Sequence, residues 1–325
     1  MKKSRKYLYQ YNIVTILIVI TLLSGCAYVQ VNETAQVQEA AEDKAATKGD
    51  AENEKDVSDL PEKEEIKLDP KWDYAEMSEI NSGTAVLYRA PADNKDNDSK
   101  KNVDRKDIVI AVNAGHGTIG GEEVQTYCHP DKTPKITDGS NPAGSLTAIA
   151  ISTGMIFADG TPEAEVTLAA ARILKDRLLE KGYDVLMIRD EDDVQLDNVA
   201  RTVIANNTAD CLVSLHYDGD GLSYDKGCFF IHVPEEICGM EPVKSIYIEH
   251  ESLGEELINA LGNNGQIIYE GRNDPLELTQ TCYATIPAVV IELGNGASAH
   301  EDKDLEKLAD ALTDGIDKYI NSKTK

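Results

Sequence analysis

From residue 107 to about 322 the chain repeatedly sets a short, unbroken apolar run against a longer stretch of helical period. This alternation restricts the fold more than any other feature. Residues 108–113 (IVIAVN), 184–188 (DVLMI), 211–215 (CLVSL), 227–233 (GCFFIHV) and 288–293 (AVVIEL) show little of the polar alternation of a half-solvated strand, so they read as strands covered on both faces. Residues 163–181 read as a helix, with Leu168, Ala171, Leu174 and Leu178 on one face and Gly182 as a stop. Residues 196–207, 251–261 and 305–320 complete the helical set. Apolar strands separated by helices predict an α/β fold: a single three-layer domain, residues 107–325, with a mainly parallel central sheet flanked by helices.

Polar residues sit at informative points along these strands. His116 lies in the turn Asn113-Ala114-Gly115-His116-Gly117, His216 directly follows CLVSL, and Glu292 closes AVVIE. Ligand sites in open α/β sheets gather beyond the carboxyl ends of the strands, and the glycines beside His116 permit a tight turn. Glu163 opens the first long helix, with Thr161 expected as its cap and Pro162 as its first residue. Taken singly, each histidine reads as a hydrogen-bonded core residue and Glu163 as a complement to the helix dipole. Taken together, two imidazoles and a carboxylate make a common catalytic zinc shell whose fourth position is left to water. No HExxH helix is present, so the ligands come from separate elements.

The other end of the chain speaks of export. Lys2, Lys3, Arg5 and Lys6 precede the apolar run 13–23, which is shorter than the about 20 residues of a spanning helix but fits a secretory leader. The run ends in Leu23-Ser24-Gly25-Cys26, which resembles a bacterial lipobox. It predicts a signal peptide at 1–25, lipidation of Cys26 and attachment to the outer face of the cell membrane. Residues 26–70 are rich in Glu, Asp, Lys and Ala and predict a disordered acidic tether, which as a flexible coil spans roughly 35–40 Å. Residues 71–106 read as a short extension and linker, with 84–88 (TAVLY) a possible strand. The net charge of -26 argues against nucleic acid as a partner and against peripheral docking on anionic lipid. Beyond Cys26 five cysteines remain, an odd number with no CxxC pair, so no disulfide framework is expected; Cys211 reads as a small buried side chain, and a Cys228–Cys238 pair stays open.

The segments IVIAVNAGHG, GTPEAEVTLAAARILKDRLLEKGYDVLMIRD, VARTVIANNTADCLVSLHYDGD and IPAVVIELGN, in this order, resemble the zinc-dependent N-acetylmuramoyl-L-alanine amidases over nearly the whole folded part. The resemblance implies one Zn2+ held by His116, Glu163 and His216, with Glu165 the rival ligand if the register slips by two. It implies Glu292 as the catalytic glutamate and peptidoglycan as the substrate, cut between N-acetylmuramic acid and L-alanine. Arg201 matches a family arginine and reads as structural, in an ion pair, rather than as a substrate contact. Two alternatives accompany this reading: a zinc hydrolase of another amide or peptide, and a wall-binding lipoprotein with an amidase-like fold.

The chain also departs from the family pattern. Residues 120–160 replace a short link, and a loop of that length beside a metal suggests a lid, a substrate-recognition element or a plug. Cys128, His129 and Asp131 within it are weighed as a second metal site against a solvent-exposed loop, and the loop is expected. Asp218 and the ELGNG turn also differ from the family. His232 is expected half-buried, His250 and His300 at the surface, and Arg272 as a solvated surface arginine rather than a partner of a stem-peptide carboxylate.

Overall fold

The computed structural model describes residues 61–91, 104–139, 141–269 and 275–323. The leader, Cys26, the tether through residue 60 and Arg272 lie outside these residues. No helix among the described residues is long and apolar enough to cross a membrane.

Four strands form the parallel centre of a sheet: β3 (Val109–Ala114), β6 (Asp184–Met187), β7 (Cys211–Asp218) and β9 (Ala288–Asn295). They follow the order β6-β3-β7-β9. Three further strands extend this core antiparallel: β1 (Lys63–Ile66) and β2 (Ala85–Tyr88) beside β6, and β8 (Phe229–Phe230) beside β9. The possible strand at 84–88 is thus β2, part of the main sheet. The expected strand at 227–233 shortens to two residues at the sheet's edge.

One expectation is corrected here. The tether was drawn to residue 70, but Lys63–Ile66 pairs with β2 as an edge strand. Its charged, mostly exposed side chains gave no hydrophobic signal. An edge strand needs only backbone partners on one side, and charge there guards against further pairing.

The helices cover both faces. Residues of α1 (Glu163–Glu180), α3 (Val243–Asn263) and α5 (Asp302–Lys323) share one apolar cluster with Ile110, Val112 and Val213. On the opposite face, α2 (Asn198–Thr208) and the residues around α4 (Thr279–Tyr283) meet Ala111, Leu186 and Leu212. Successive strand residues thus enter opposite cores, which is why the strands are apolar throughout and why the domain has three layers. Leu168, Ala171, Leu174 and Leu178 are all buried as the helical period predicts, and Gly182 ends α1 at φ 90°. Thr161 is not the cap: Pro162 takes that position in an extended conformation without a side-chain cap, and Glu163 is the first helical residue.

The 120–160 insert is folded. Its strands β4 (Gln125–Tyr127) and β5 (Thr147–Ile149) pair antiparallel. It is fastened to the domain where Asn198 N donates to Ala150 O at 3.1 Å and Tyr283 Oη to Tyr127 O at 3.1 Å.

Candidate metal centre

The turn after β3 carries His116 in the left-handed region, at φ 64°. A non-glycine residue there costs on the order of 1 kcal/mol or more, so the surroundings must impose the geometry. Two buried guanidinium groups do so. Arg201 donates to Leu196 O (2.9 Å), Asn113 Oδ1 (3.0 Å), Ala114 O (3.0 Å), His116 O (2.7 Å) and Thr118 Oγ1 (2.9 Å). Arg189 donates to Ala114 O (3.1 Å), Gly115 O (3.0 Å), Ala164 O (2.7 Å) and Thr167 Oγ1 (3.2 Å), joining the turn to the start of α1. Burial and mutual repulsion push Arg201 down to about 9 and burial pushes Arg189 down to about 10, which leaves both charged at neutral pH. Arg201 is structural as expected, but through carbonyl and hydroxyl oxygens rather than an ion pair.

The turn brings three donor atoms together. His116 Nε2 lies 2.8 Å from Glu163 Oε1, and His216 Nδ1 lies 3.0 Å from His116 Nε2 and 3.2 Å from Glu163 Oε1. His216 sits inside β7 rather than after it, because that strand runs on to Asp218. His116 and Glu163 are buried and His216 is half-buried. Glu165, the rival ligand, lies two residues further along α1, is exposed and is not part of the cluster. Among the described residues this is the group of His, Cys, Asp and Glu side chains arranged to hold a metal ion.

The donor set fits a divalent cation. His116 Nδ1 lies 2.9 Å from Ser152 O, which fixes that nitrogen as the donor and leaves the Nε2 lone pair facing the cluster, a common support for a metal-bound imidazole. Three lone-pair donors about 3 Å apart repel one another unless a cation or proton lies between them. Donors of a tetrahedral zinc ion at about 2.0–2.1 Å sit roughly 3.3 Å apart, close to the spacing here. Burial alone would raise the Glu163 carboxyl, yet the His116 and His216 imidazoles against it hold it well below the usual carboxylate range. Burial and the neighbouring His116 lower the His216 imidazole, which favours its neutral, metal-binding form.

Two glycines allow this closeness. A Cβ at Gly115 would lie 2.4 Å from His216 Cε1, and one at Gly154 (φ 85°) would lie 2.7 Å from His116 Cδ2 and 2.9 Å from Glu163 Oε2. Met155 N donates to Glu163 Oε2 at 2.9 Å and Tyr217 N to Oε1 at 3.0 Å, so the carboxylate is fixed from both sides.

Glu292 pairs in register with His216 across β7 and β9. Both line one cavity of about 250 Å³ with His116. Glu292 Oε2 is buried without a hydrogen-bond partner among the described residues. Burial, then the charges of Glu163 and Asp218, raise this carboxyl well above the usual range. A carboxyl in that state can hold a proton and release it. Asp218 and Asp220 share Lys226 in ion pairs beside β7.

Several expectations change. His129 is not in a solvent-exposed loop: its ring is fully buried, with Nε2 2.6 Å from Glu277 Oε1. Glu277 also accepts from Ile136 N, Thr137 N and Thr137 Oγ1, so the pair sews the insert to the segment before α4. Cys128 is buried, and Asp131 closes a small turn with Thr133. His250 is buried rather than superficial, accepting from Ala288 N through Nδ1 at 2.8 Å. His232 is half-buried, as expected; His300 also is, stacked on Phe157. Cys211 is buried, and Cys228 and Cys238 are separate thiols. Sequence reasoning passed over Arg189, Ser152, Gly154, Lys135 and Glu277. Only Arg189 had a signal, a charge closing the apolar strand DVLMI.

The family described as N-acetylmuramoyl-L-alanine amidase matches residues 110–321. No curated protein matches. Among solved structures, the chain is similar to the N-acetylmuramyl-L-alanine amidase Ami1 of Mycobacterium smegmatis. The two are 20% identical with a TM-score of 0.55, over 66% of this chain and 98% of that one. The apo form of Ami1 from Mycobacterium abscessus is similar at 20% identity and a TM-score of 0.52, over 66% and 99%. At such identities these structures support the fold.

Proposed function

The chain belongs to the N-acetylmuramoyl-L-alanine amidase family, and from that premise we propose that it hydrolyses the amide between N-acetylmuramic acid and L-alanine of peptidoglycan with one zinc ion at His116, Glu163 and His216. The observation that carries the reading is the meeting of these three donors, far apart in the chain, at the cavity that His116 and His216 line with Glu292. When bound, zinc supplies Lewis acidity that draws electron density from the scissile carbonyl. His116 and Glu163 are held by Ser152, Met155 and Tyr217 so that their donor atoms keep their places.

Glu292 takes a proton from the attacking water and hands it to the departing amine. The C–N bond breaks, the lactyl group of muramic acid leaves as a carboxylate, and L-alanine gains a free amino group. The raised carboxyl of Glu292 suits the second half of this task, since a held proton is available to the amine.

The leader and Cys26 support a second part of the proposal, that the enzyme acts outside the cytoplasm, anchored to the membrane by lipid. Cys26→Ala should release the protein from the membrane fraction.

Metal analysis and wall digestion test the site. The wild-type chain should carry about one zinc, His116→Ala and His216→Ala should lose it, and Glu292→Gln should keep it while releasing no stem peptide with a free N-terminal L-alanine. Digestion by Glu292→Gln at the wild-type rate would overturn the assignment.

A further inference from the structure

Lys135 lies in the insert and lines the same cavity as His116, His216 and Glu292. Its residue is only 5% exposed, yet its ammonium makes no hydrogen bond or ion pair with any described residue. The backbone around it is fixed, with Lys135 N donating to Ser145 O at 2.9 Å and Gly144 N to Lys135 O at 2.8 Å. Gly139 lies beside the ammonium, where a Cβ would come 3.4 Å from Lys135 Nζ.

Of the two carboxylates that line the cavity with it, Glu292 is the proposed catalytic group and Glu277 is committed elsewhere. Its two oxygens receive His129, the amides of Ile136 and Thr137 and the Thr137 hydroxyl. A chain with 58 acidic side chains therefore leaves a buried cation beside its candidate active site without a carboxylate. Burying an unpaired charge is costly, and a ligand that brings the missing anion recovers that cost.

We propose that Lys135 binds a carboxylate on the peptide side of the scissile amide, so that the insert selects stems carrying a free acid. The inference rests on the proposed reading of the site as a muramoyl amidase. The chemistry of that substrate points to the peptide side. The carboxyl of the muramoyl group is consumed in the amide, leaving neutral hydroxyls and an acetamide, whereas the amino-acid side carries carboxylates. Asn141, Asn198 and Gln280 of the same wall are neutral amides that tolerate either form of the substrate, and Glu277 and Glu292 offer an acid no positive partner. Lys135 alone separates an acid from its carboxamide.

The test uses the full chain loaded with zinc and two muramoyl peptides that differ only in amidation of the peptide carboxylates. Wild type should favour the acid at least tenfold in kcat/KM, the difference residing in KM. Lys135→Met should cut kcat/KM on the acid to about the level of the amidated substrate and leave the latter unchanged, and Lys135→Arg should keep most of the preference. Lys135→Gln serves as a second neutral variant, and thermal unfolding checks that each variant is folded. An unaltered preference in both neutral variants, an equal fall on both substrates, or no preference in wild type would overturn the proposal.

If wild type cleaves neither substrate, the amidase reading fails separately. Calorimetric titration with the free acidic peptide and its amidated twin then decides the role of Lys135. A tenfold preference lost in Lys135→Met upholds it, and equal binding overturns it.

Discussion

The centre depends on single atoms placed where ordinary side chains do not fit. Gly154 is the sharpest case, since a methyl group there would press on both His116 and Glu163 at positive φ. Gly154→Ala should weaken zinc binding at least tenfold, measured by competition with a chromogenic chelator, while the strain of alanine at that φ costs on the order of 1 kcal/mol in stability. Wild-type zinc affinity in that variant would refute the steric account. His116, Glu163, His216 and Glu292 were each legible as residues, because in the sequence they close an apolar run or open a helical stretch in recognisable motifs, although His216 and Glu292 prove to lie inside β7 and β9. Gly154 and Ser152 were not. Nothing in a polar insert marks which glycine or carbonyl will touch a ring some 40 positions earlier.

Within the elements, helix α3 holds a titratable group against the sheet. Burial pushes His250 down to about 4, below the about 6.5 of an exposed histidine. Its folded pKa is depressed, so its contribution is fully present above about 6.5 and is lost as pH falls toward 4, in all about 3 kcal/mol. The stability gap between wild type and His250→Gln should narrow by about that amount over this window in urea unfolding, and a pH-independent gap would exclude the mechanism. Flanking Glu249 and Glu251 made this histidine read as a surface residue. The helical period nevertheless turns it inward, to accept from Ala288 N.

The insert makes the same point at larger cost to the sequence reading. His129→Ala breaks a buried hydrogen bond to a carboxylate, worth about 2 kcal/mol, and should speed amide hydrogen exchange across 120–150 while α1 and β7 keep their protection. Unchanged exchange in the insert would mean that the pair does not fasten it. His129 and Glu277 are 148 positions apart, and no local pattern announces a pair of that separation.

For the whole molecule, the centre adds a link between elements that the sheet, the apolar core and Arg189 already join. Its three donor residues come from the turn after β3, the start of α1 and the interior of β7, so an ion bound there would stabilise the native chain by mass action. Zinc at a thousandfold excess over its Kd should raise Tm on the order of 10 °C above the chelated protein. His116→Ala should show almost none of that shift, and an equal shift in this variant would place the ion elsewhere. The sequence alone determined the α/β class, the parallel core and the four polar residues of the centre, because period, apolar runs and strand-end motifs are local properties. Tertiary structure alone decided that β1 closes the sheet's edge, that two buried arginines hold His116 in its turn, and that the insert walls the cavity and leaves Lys135 unpaired. Each of these rests on atoms that meet only after the chain has folded, through backbone groups and long-range polar contacts that leave no periodic trace.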